Sequence, residues 1–258
     1  MCRNCDDNDD DGIEELKKLL VDGKVDVNLV DEKHWRTFTA IHLAAENGLN
    51  AVVECFISNG ANVNCRDFDG RTALHLATSN GHFGIVGNLV RNGALLDLQD
   101  NEGMTALHLA VKLNHTGIVE ILVANGANLR LKDNEGKSIV HLAGKFAHLP
   151  TFEILAKKGE DLNSIDNEGR TALHWAEKFN HMEIVESLVK NEADVNLGDK
   201  NGKTPIHWAV EYDRFEIVEF LAKNGANLKL KDKFGATPLS IALDKSSPET
   251  VKFLQTFD

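Results

Sequence analysis

The sequence predicts an all-α solenoid of stacked helix pairs, and three recurrences predict it. Asp67, Asp100, Asp133, Asp166, Asp199 and Asp232 stand 33 residues apart, each with Gly three positions later. Five positions after each Asp comes Thr or Ser, opening a short apolar run with small residues. A second apolar run follows, most often closed by Gly. A fixed period of this size marks a repeat that cannot bury its apolar face alone, so neighbours must stack.

Residues 100–132 show how each element arises. Asp100-Asn101-Glu102-Gly103 places Asp first and Gly fourth, as a type I β-turn prefers. Thr105 then suits an N-cap, its hydroxyl accepting from an early helix amide. Pro205 and Pro238 follow the equivalent Thr, at the first helical position, where a missing N–H costs nothing. Leu107, Leu109, Ala110 and Val111 make a short apolar helix, which Asn114-His115 breaks. Ile118, Val119, Leu122 and Val123 have the spacing of a second amphipathic helix. Gly126 can take the left-handed conformation that ends it.

The motif Thr105-Ala106-Leu107-His108-Leu109-Ala110, and still more Thr204-Pro205-Ile206-His207-Trp208-Ala209, resembles the Thr-Pro-Leu-His-x-Ala element of the ankyrin-repeat family. The resemblance covers nearly everything from Ile13 onward. It implies paired antiparallel helices with β-hairpin or turn fingers set at right angles to them, in a curved stack. It also implies that His42, His75, His108, His141, His174 and His207 bond the Thr of their own motif and the adjoining turn.

In chain order, residues 1–12 are an acidic tail expected to be disordered. Residues 13–30 read as a half-repeat, a second helix followed by its finger Val25-Asp26-Val27-Asn28. Residues 31–66 form the first full repeat. Its turn is enlarged, with Lys33-His34-Trp35-Arg36 as the tip. Repeats 67–99, 100–132, 133–165, 166–198 and 199–231 follow, and 232–258 is a C-terminal capping repeat. There Ser240 replaces His, and Ser247-Pro248-Glu249 starts a fresh helix. Repeat 133–165 departs furthest. Gly144 inside its first helix costs about 1 kcal/mol against Ala, and Pro150 is tolerable only in the first turn of the second helix. In the next repeat Glu192 replaces the terminating Gly, and a left-handed Glu costs roughly 1 kcal/mol. This middle region is expected to be the softest.

Composition limits the function. Hydrophobic residues at 42% support a continuous core. No apolar run approaches the ~18 residues of a membrane helix, and MCRNCDDNDD lacks the regions of a signal peptide. The expectation is a cytoplasmic or nuclear monomer that does not engage membranes. Net charge is −12, from 28 Lys and Arg against 40 Asp and Glu. That argues against nonspecific nucleic-acid binding and permits a protein partner with a basic segment. Cys2-Arg3-Asn4-Cys5 has metal-site spacing but lacks a second pair.

No cofactor, metal or catalytic set stands out. Histidines one per repeat lie ~10 Å apart, too far to share one zinc. His82, His115, His148 and His181 form a second structural row in the inter-helix loops. Gly136-Lys137-Ser138 and Gly202-Lys203-Thr204 lack the earlier Gly of a phosphate loop, with Leu131 and Leu197 in its place. Trp175 and Trp208 are assigned to the core.

What remains is surface. In ankyrin folds the hairpin tips and first helices line a concave, protein-binding face. Leu113, Phe146, Phe179 and Tyr212 form an apolar ladder late in successive first helices, beside Lys112, Lys145 and Lys178, and the turns add Met104, Lys137, Arg170 and Lys203. Core and interface are both open for this ladder, because helical patterning alone does not separate them. Asp69, Glu102, Glu135 and Glu168 are expected to pair with the turn cations. Asn28, Asn163 and Asn196 follow the Leu, Asp and apolar pattern that resembles targets of an asparaginyl hydroxylase. A role in holding the finger would equally explain them. The reading is a non-enzymatic interaction module, adaptor or inhibitor. The alternative is the repeat portion of a larger channel, toxin or secreted effector, favoured by the helix missing ahead of Ile13.

Overall fold

A computed structural model describes residues 18–19, 26–31 and 38–257. The acidic tail, Cys2 and Cys5, most of the helix expected over 13–28 and the tip at Lys33-His34-Trp35-Arg36 lie outside the described residues. By its contacts the chain divides into two compact units, one up to Asn128 and one from Leu129.

In the first unit, strands β1 (Val30–Asp31) and β2 (Phe38–Thr39) pair antiparallel, Val30 opposite Thr39, on either side of the enlarged turn. Helices α1 (Ala40–Glu46), α2 (Asn50–Ser58), α3 (Ala73–Ser79), α4 (Phe83–Arg91), α5 (Ala106–Lys112) and α6 (Thr116–Ala124) follow as pairs. The second unit continues with α7 (Ile139–Phe146), α8 (Leu149–Lys157), α9 (Ala172–Lys178), α10 (Met182–Lys190), α11 (Pro205–Glu211), α12 (Phe215–Lys223), α13 (Pro238–Asp244) and α14 (Pro248–Leu254), then a 3₁₀ turn over Gln255–Phe257. Within each unit the first helices pack on first helices, and each packs on its own partner. Leu89, Leu122, Leu155, Leu188 and Leu221, one per second helix, are fully buried. The apolar stripe of each pair is therefore covered by its neighbours, as a solenoid requires.

The turns form as their residues dictate. At Asp166 the Gly169 amide donates to the Asp166 carbonyl at 2.9 Å, and the Asp166 amide donates to the Arg170 carbonyl at 2.9 Å. Asp166 Oδ1 accepts from the amides of Glu168 and Arg170. Gly169 sits at φ +76°, so a side chain there would be strained. Successive fingers bond through their backbones: Asn167 N–H to the Glu135 carbonyl at 3.0 Å, and Lys200 N–H to that of Glu168 at 2.9 Å.

The histidine rows tie repeats together in opposite directions. The Thr171 amide donates to His174 Nδ1 at 3.1 Å, so that nitrogen carries no proton and Nε2 does. Nε2–H donates to the Lys203 carbonyl of the next turn at 3.0 Å. His75, His141 and His207 reach Met104, Arg170 and Ala236 in the same way. The second row points backward, with His82 Nε2 on the Glu46 carbonyl and His181 Nε2 on that of Lys145. Burial pushes His42, His75, His141, His174 and His207 below the ordinary histidine range, His174 to about 4. The Thr105 hydroxyl does accept from an early helix amide, His108 N–H at 3.3 Å, but its shorter contact is to the His108 ring at 2.8 Å.

Of the irregular positions, Pro150 and Glu192 stand as their sequence reading has them, whereas Gly144 and Ser247 do not. Gly144 is not a tolerated weak residue. A Cβ there would stand 2.8 Å from the Ala172 carbonyl oxygen, so glycine is what lets α7 and α9 approach. Pro150 falls in the first turn of α8, where its missing N–H is harmless. Glu192 is left-handed at φ +66°, as expected, and Ala147 adds a second strained end at φ +59°. Ser247 precedes Pro248 but does not cap α14 with its side chain, which instead donates to Asp213 at 2.9 Å. Ser240 keeps the inner half of the histidine arrangement, accepting from the Thr237 amide at 2.9 Å.

Candidate interaction surface

The ladder residues sit at the ends of the first helices. Leu113, Phe179 and Tyr212 are the capping residues of α5, α9 and α11, and Phe146 is the last residue of α7. A side chain at this position leaves the helix where no further turn covers it. Leu113, Phe179 and Tyr212 are accordingly 43%, 42% and 38% exposed. In the second unit the rings pack on their own repeat. Phe179 stacks on Trp175 at 6.2 Å and on His181 at 6.0 Å, Phe146 stacks on His148, and Tyr212 leans on Trp208. They form a surface strip and do not extend the core.

Trp175 underlies this strip and is a core residue, as the sequence reading assigned it. It is buried, yet what lies over its ring is charged. Arg170, Lys137, Lys145 and Lys178 place their cationic groups 4.5, 5.0, 5.5 and 5.5 Å from the ring centroid. Its indole N–H donates to Asp166 Oδ2 at 3.1 Å, which also accepts from Arg170 Nε at 2.8 Å. Each cation within about 6 Å of an aromatic face gains roughly 0.5–1 kcal/mol at an exposed site. Trp208 repeats the indole bond, to Asp199 Oδ2 at 3.1 Å. There, however, the late-helix position holds Glu211, which takes Lys203 at 2.5 Å. The regular spacing of Trp and Lys contained this cluster, but only the fold shows that turn and helix cations converge on one ring.

Two expected contact residues are turned inward. Met104 is 4% exposed and Lys137 5%, because the residue after the turn glycine starts the returning arm and folds under the hairpin. Lys137 Nζ is held by Glu135 at 2.5 Å, and this bond, with Lys145 and Arg170 nearby, draws Glu135 below the usual carboxylate range. The expected turn pairing also holds at Asp69, which meets Arg71 at 2.7 Å. Arg170 instead takes Asp166, leaving Glu168 to Lys200 at 3.7 Å.

The finger asparagines have structural partners. Asn196 accepts from the Asn227 amide at 2.7 Å and donates to the Gly225 carbonyl at 3.0 Å. Asn28 makes the same pair with Asn62 and Gly60, and Asn163 accepts from the Asp194 amide. Cys65 Sγ lies 3.4 Å from the Thr39 hydroxyl and 4.0 Å from His42 Nδ1. Burial raises this thiol and lowers His42, the reverse of what an activated nucleophile needs. Among the described residues no three metal-binding side chains converge, and no helix is long and apolar enough to cross a membrane.

A family model described as ankyrin repeats in three copies matches residues 8–100, 84–166, 149–232 and 199–257. Among solved structures, the chain is similar to the ankyrin repeat domain of Bcl-3, described as a unique member of the IkappaB protein family. The two are 26% identical with a TM-score of 0.78, over 84% of this chain and 98% of that one. No curated protein matches the sequence.

Proposed function

The chain belongs to the ankyrin-repeat family, whose fold generally mediates protein–protein interaction, and from that premise we propose that it is a non-enzymatic adaptor or inhibitor. Its partner would dock on the hairpin tips and first-helix ends of the second unit. Lys145, Phe146, Arg170, Lys178, Phe179, Lys203 and Tyr212 would make the contacts, around Trp175. The observation that carries this reading is the exposed aromatic strip, with rings held rigid by stacking and flanked by cations. Rigid aromatic and cationic side chains supply much of the energy of protein interfaces.

A second support is where local rules are broken. Ala147 and Glu192 are left-handed, Glu177 is fully buried without a hydrogen-bond partner, and Glu160 occupies a buried position that is Ala94, Ala127 and Ala226 elsewhere. All four lie in repeats 133–198, and departures of this kind tend to accompany functional surfaces. Free Cys55 and Cys65 suit a reducing compartment, so we place the protein in the cytoplasm or nucleus. Asn28, Asn163 and Asn196 remain candidates for hydroxylation. Since their carboxamides hold neighbouring fingers, a hydroxylase would have to open the finger first, and a mass increase of one oxygen on the peptide containing Asn196 would report the modification.

The test is capture and cross-linking from native lysate with wild type and a Phe146→Ala, Phe179→Ala, Tyr212→Ala variant whose melting is checked first. Partners lost from the folded variant are the expected result. Retention of every partner would remove the strip as the site.

A further inference from the structure

The turn aspartates share a register but not a set of partners. Asp67, Asp166 and Asp232 are buried, Asp232 at 7% exposure, and the Oδ1 of each accepts the amide four residues on. On the first two, Oδ2 holds an arginine, with Arg71 Nε at 3.0 Å and Arg170 Nε at 2.8 Å. The last repeat has Ala236 in the register of those arginines and Ile241 in that of Trp175 and Trp208, whose indoles also donate to such an Oδ2. At Asp232 the amides of Phe234 and Ala236 both go to Oδ1, at 2.9 Å each, and among the described residues no donor reaches Oδ2. Asp100 and Asp133 also have neither Arg nor Trp in these registers, but they are only half-buried, so solvent serves their carboxylates. Asp232 instead lines an opening of about 230 Å³ within the second unit, at the ends of α11 and α13. The charged lining is Asp232, Asp244 and Glu211 against Lys203 and Lys245, with Lys203 already held by Glu211 at 2.5 Å. Lys233 stands on the same turn without lining the opening, and exposed Phe234 borders it.

Resting on the protein-binding reading above, we propose that this opening receives an arginine side chain of the partner protein, its guanidinium on Asp232 Oδ2 and against the Phe234 ring. The chain itself shows the fit, since the same carboxylate oxygen holds an arginine in two sibling turns. A buried acceptor without a donor costs the folded chain free energy that an incoming donor returns. The guanidinium suits the place because it is planar, is more weakly hydrated than an ammonium and stacks on aromatic faces. A lysine would keep the charge but lose the fork and the stacking. An anionic ligand would face three carboxylates, with one of the two lysines already paired.

The experiment selects binders of the full chain from short random peptides displayed on phage and titrates them by fluorescence anisotropy, all variants first shown folded by circular dichroism. An Arg common to the enriched peptides is expected. Replacing it by Lys, or by citrulline, its uncharged isostere, should weaken binding roughly tenfold or more. Two changes in the chain should do the same. Asp232→Asn keeps an oxygen for the turn amides and loses the charge. Ala236→Arg places a guanidinium where Arg71 and Arg170 carry theirs, so that the chain fills its own site. Ala236→Arg should also raise the melting temperature, and adding Asp232→Asn should cancel that gain. Enriched peptides without Arg, no enriched peptide at all, or affinity indifferent to both changes would each overturn the arginine occupant. If peptides without Arg are lost with Phe146→Ala, Phe179→Ala, Tyr212→Ala, the strip stands as a protein site and only this inference fails. Arginine peptides lost with Asp232→Asn but indifferent to that triple variant would uphold the inference and move the docking surface to the last repeat. Peptides indifferent to all these changes would remove both.

Discussion

Gly144 shows how a residue's meaning depends on what faces it. Read along the helix it is a defect worth about 1 kcal/mol. Read across to Ala172 it is a contact that excludes a methyl group. Overpacking a close helix contact costs about 1–3 kcal/mol, so Gly144→Ala should lower stability in urea unfolding and not raise it. Glu192 tests the opposite case. Nothing crowds the glycines at equivalent positions 93, 126 and 225, so Glu192→Gly should stabilise by about 1 kcal/mol by removing left-handed strain.

Glu160 carries the clearest pH signature of any single residue. It borders a cleft of about 420 Å³ with Arg130, Lys132, Asp161 and Ser164, and burial with neighbouring Asp161 raises its carboxyl to about 7. Between the ordinary value of 4.5 and about 7 the folded chain holds a proton that the unfolded chain has lost. Stability from this residue therefore falls as pH rises through that window. Glu160→Ala, the residue found in register, should stabilise at pH 8 by on the order of 1–2 kcal/mol after screening at the cleft mouth, with the gain vanishing near pH 4.5. Thermal melts across pH would show it, and a gain equal at both ends would refute the assignment.

At the scale of elements, the joint between repeats is chemical as well as apolar. His42, His75, His141, His174 and His207 each accept an amide within their own motif and donate to the next turn, which requires the neutral ring. Burial lowers His42, His75, His141, His174 and His207 below their ordinary 6.5. The unfolded chain takes these protons first, so the contribution is full above 6.5 and is lost as pH falls below it, for His174 toward about 4. For His174 alone the loss is on the order of 3 kcal/mol. With these five bonds lost, acid unfolding should begin below about pH 6. A His174→Gln variant should show a shallower acid limb by circular dichroism. An unchanged limb would place the acid sensitivity elsewhere.

For the molecule as a whole, stability is a sum over repeats, and the sum is uneven. Repeats 133–198 hold the left-handed Ala147 and Glu192 and the buried carboxyls of Glu160 and Glu177. Regions with such conflicts open at lower free energy than the global transition. Amide exchange in α8 and α10 should therefore be faster than in α6, and equal protection would count against a soft middle. The aromatic strip lies on these same repeats, so an occupant there would slow exchange in α7 and α9 first.

The architecture was legible in the residues because its causes are short-ranged. A turn needs Asp and Gly three apart, a helix start needs Thr, and a histidine row needs only the period. Those contacts span a few residues and recur in every copy, so one repeat explains the others. The surface was legible only in part. Phe179 and Tyr212 could be picked from their register, whereas their exposure, the inward turn of Met104 and Lys137, the need for Gly144 and the cations over Trp175 could not. Each of these depends on which side chain the adjacent repeat presents. A period shows that a neighbour is there; tertiary packing alone decides what it covers and what it leaves to a partner.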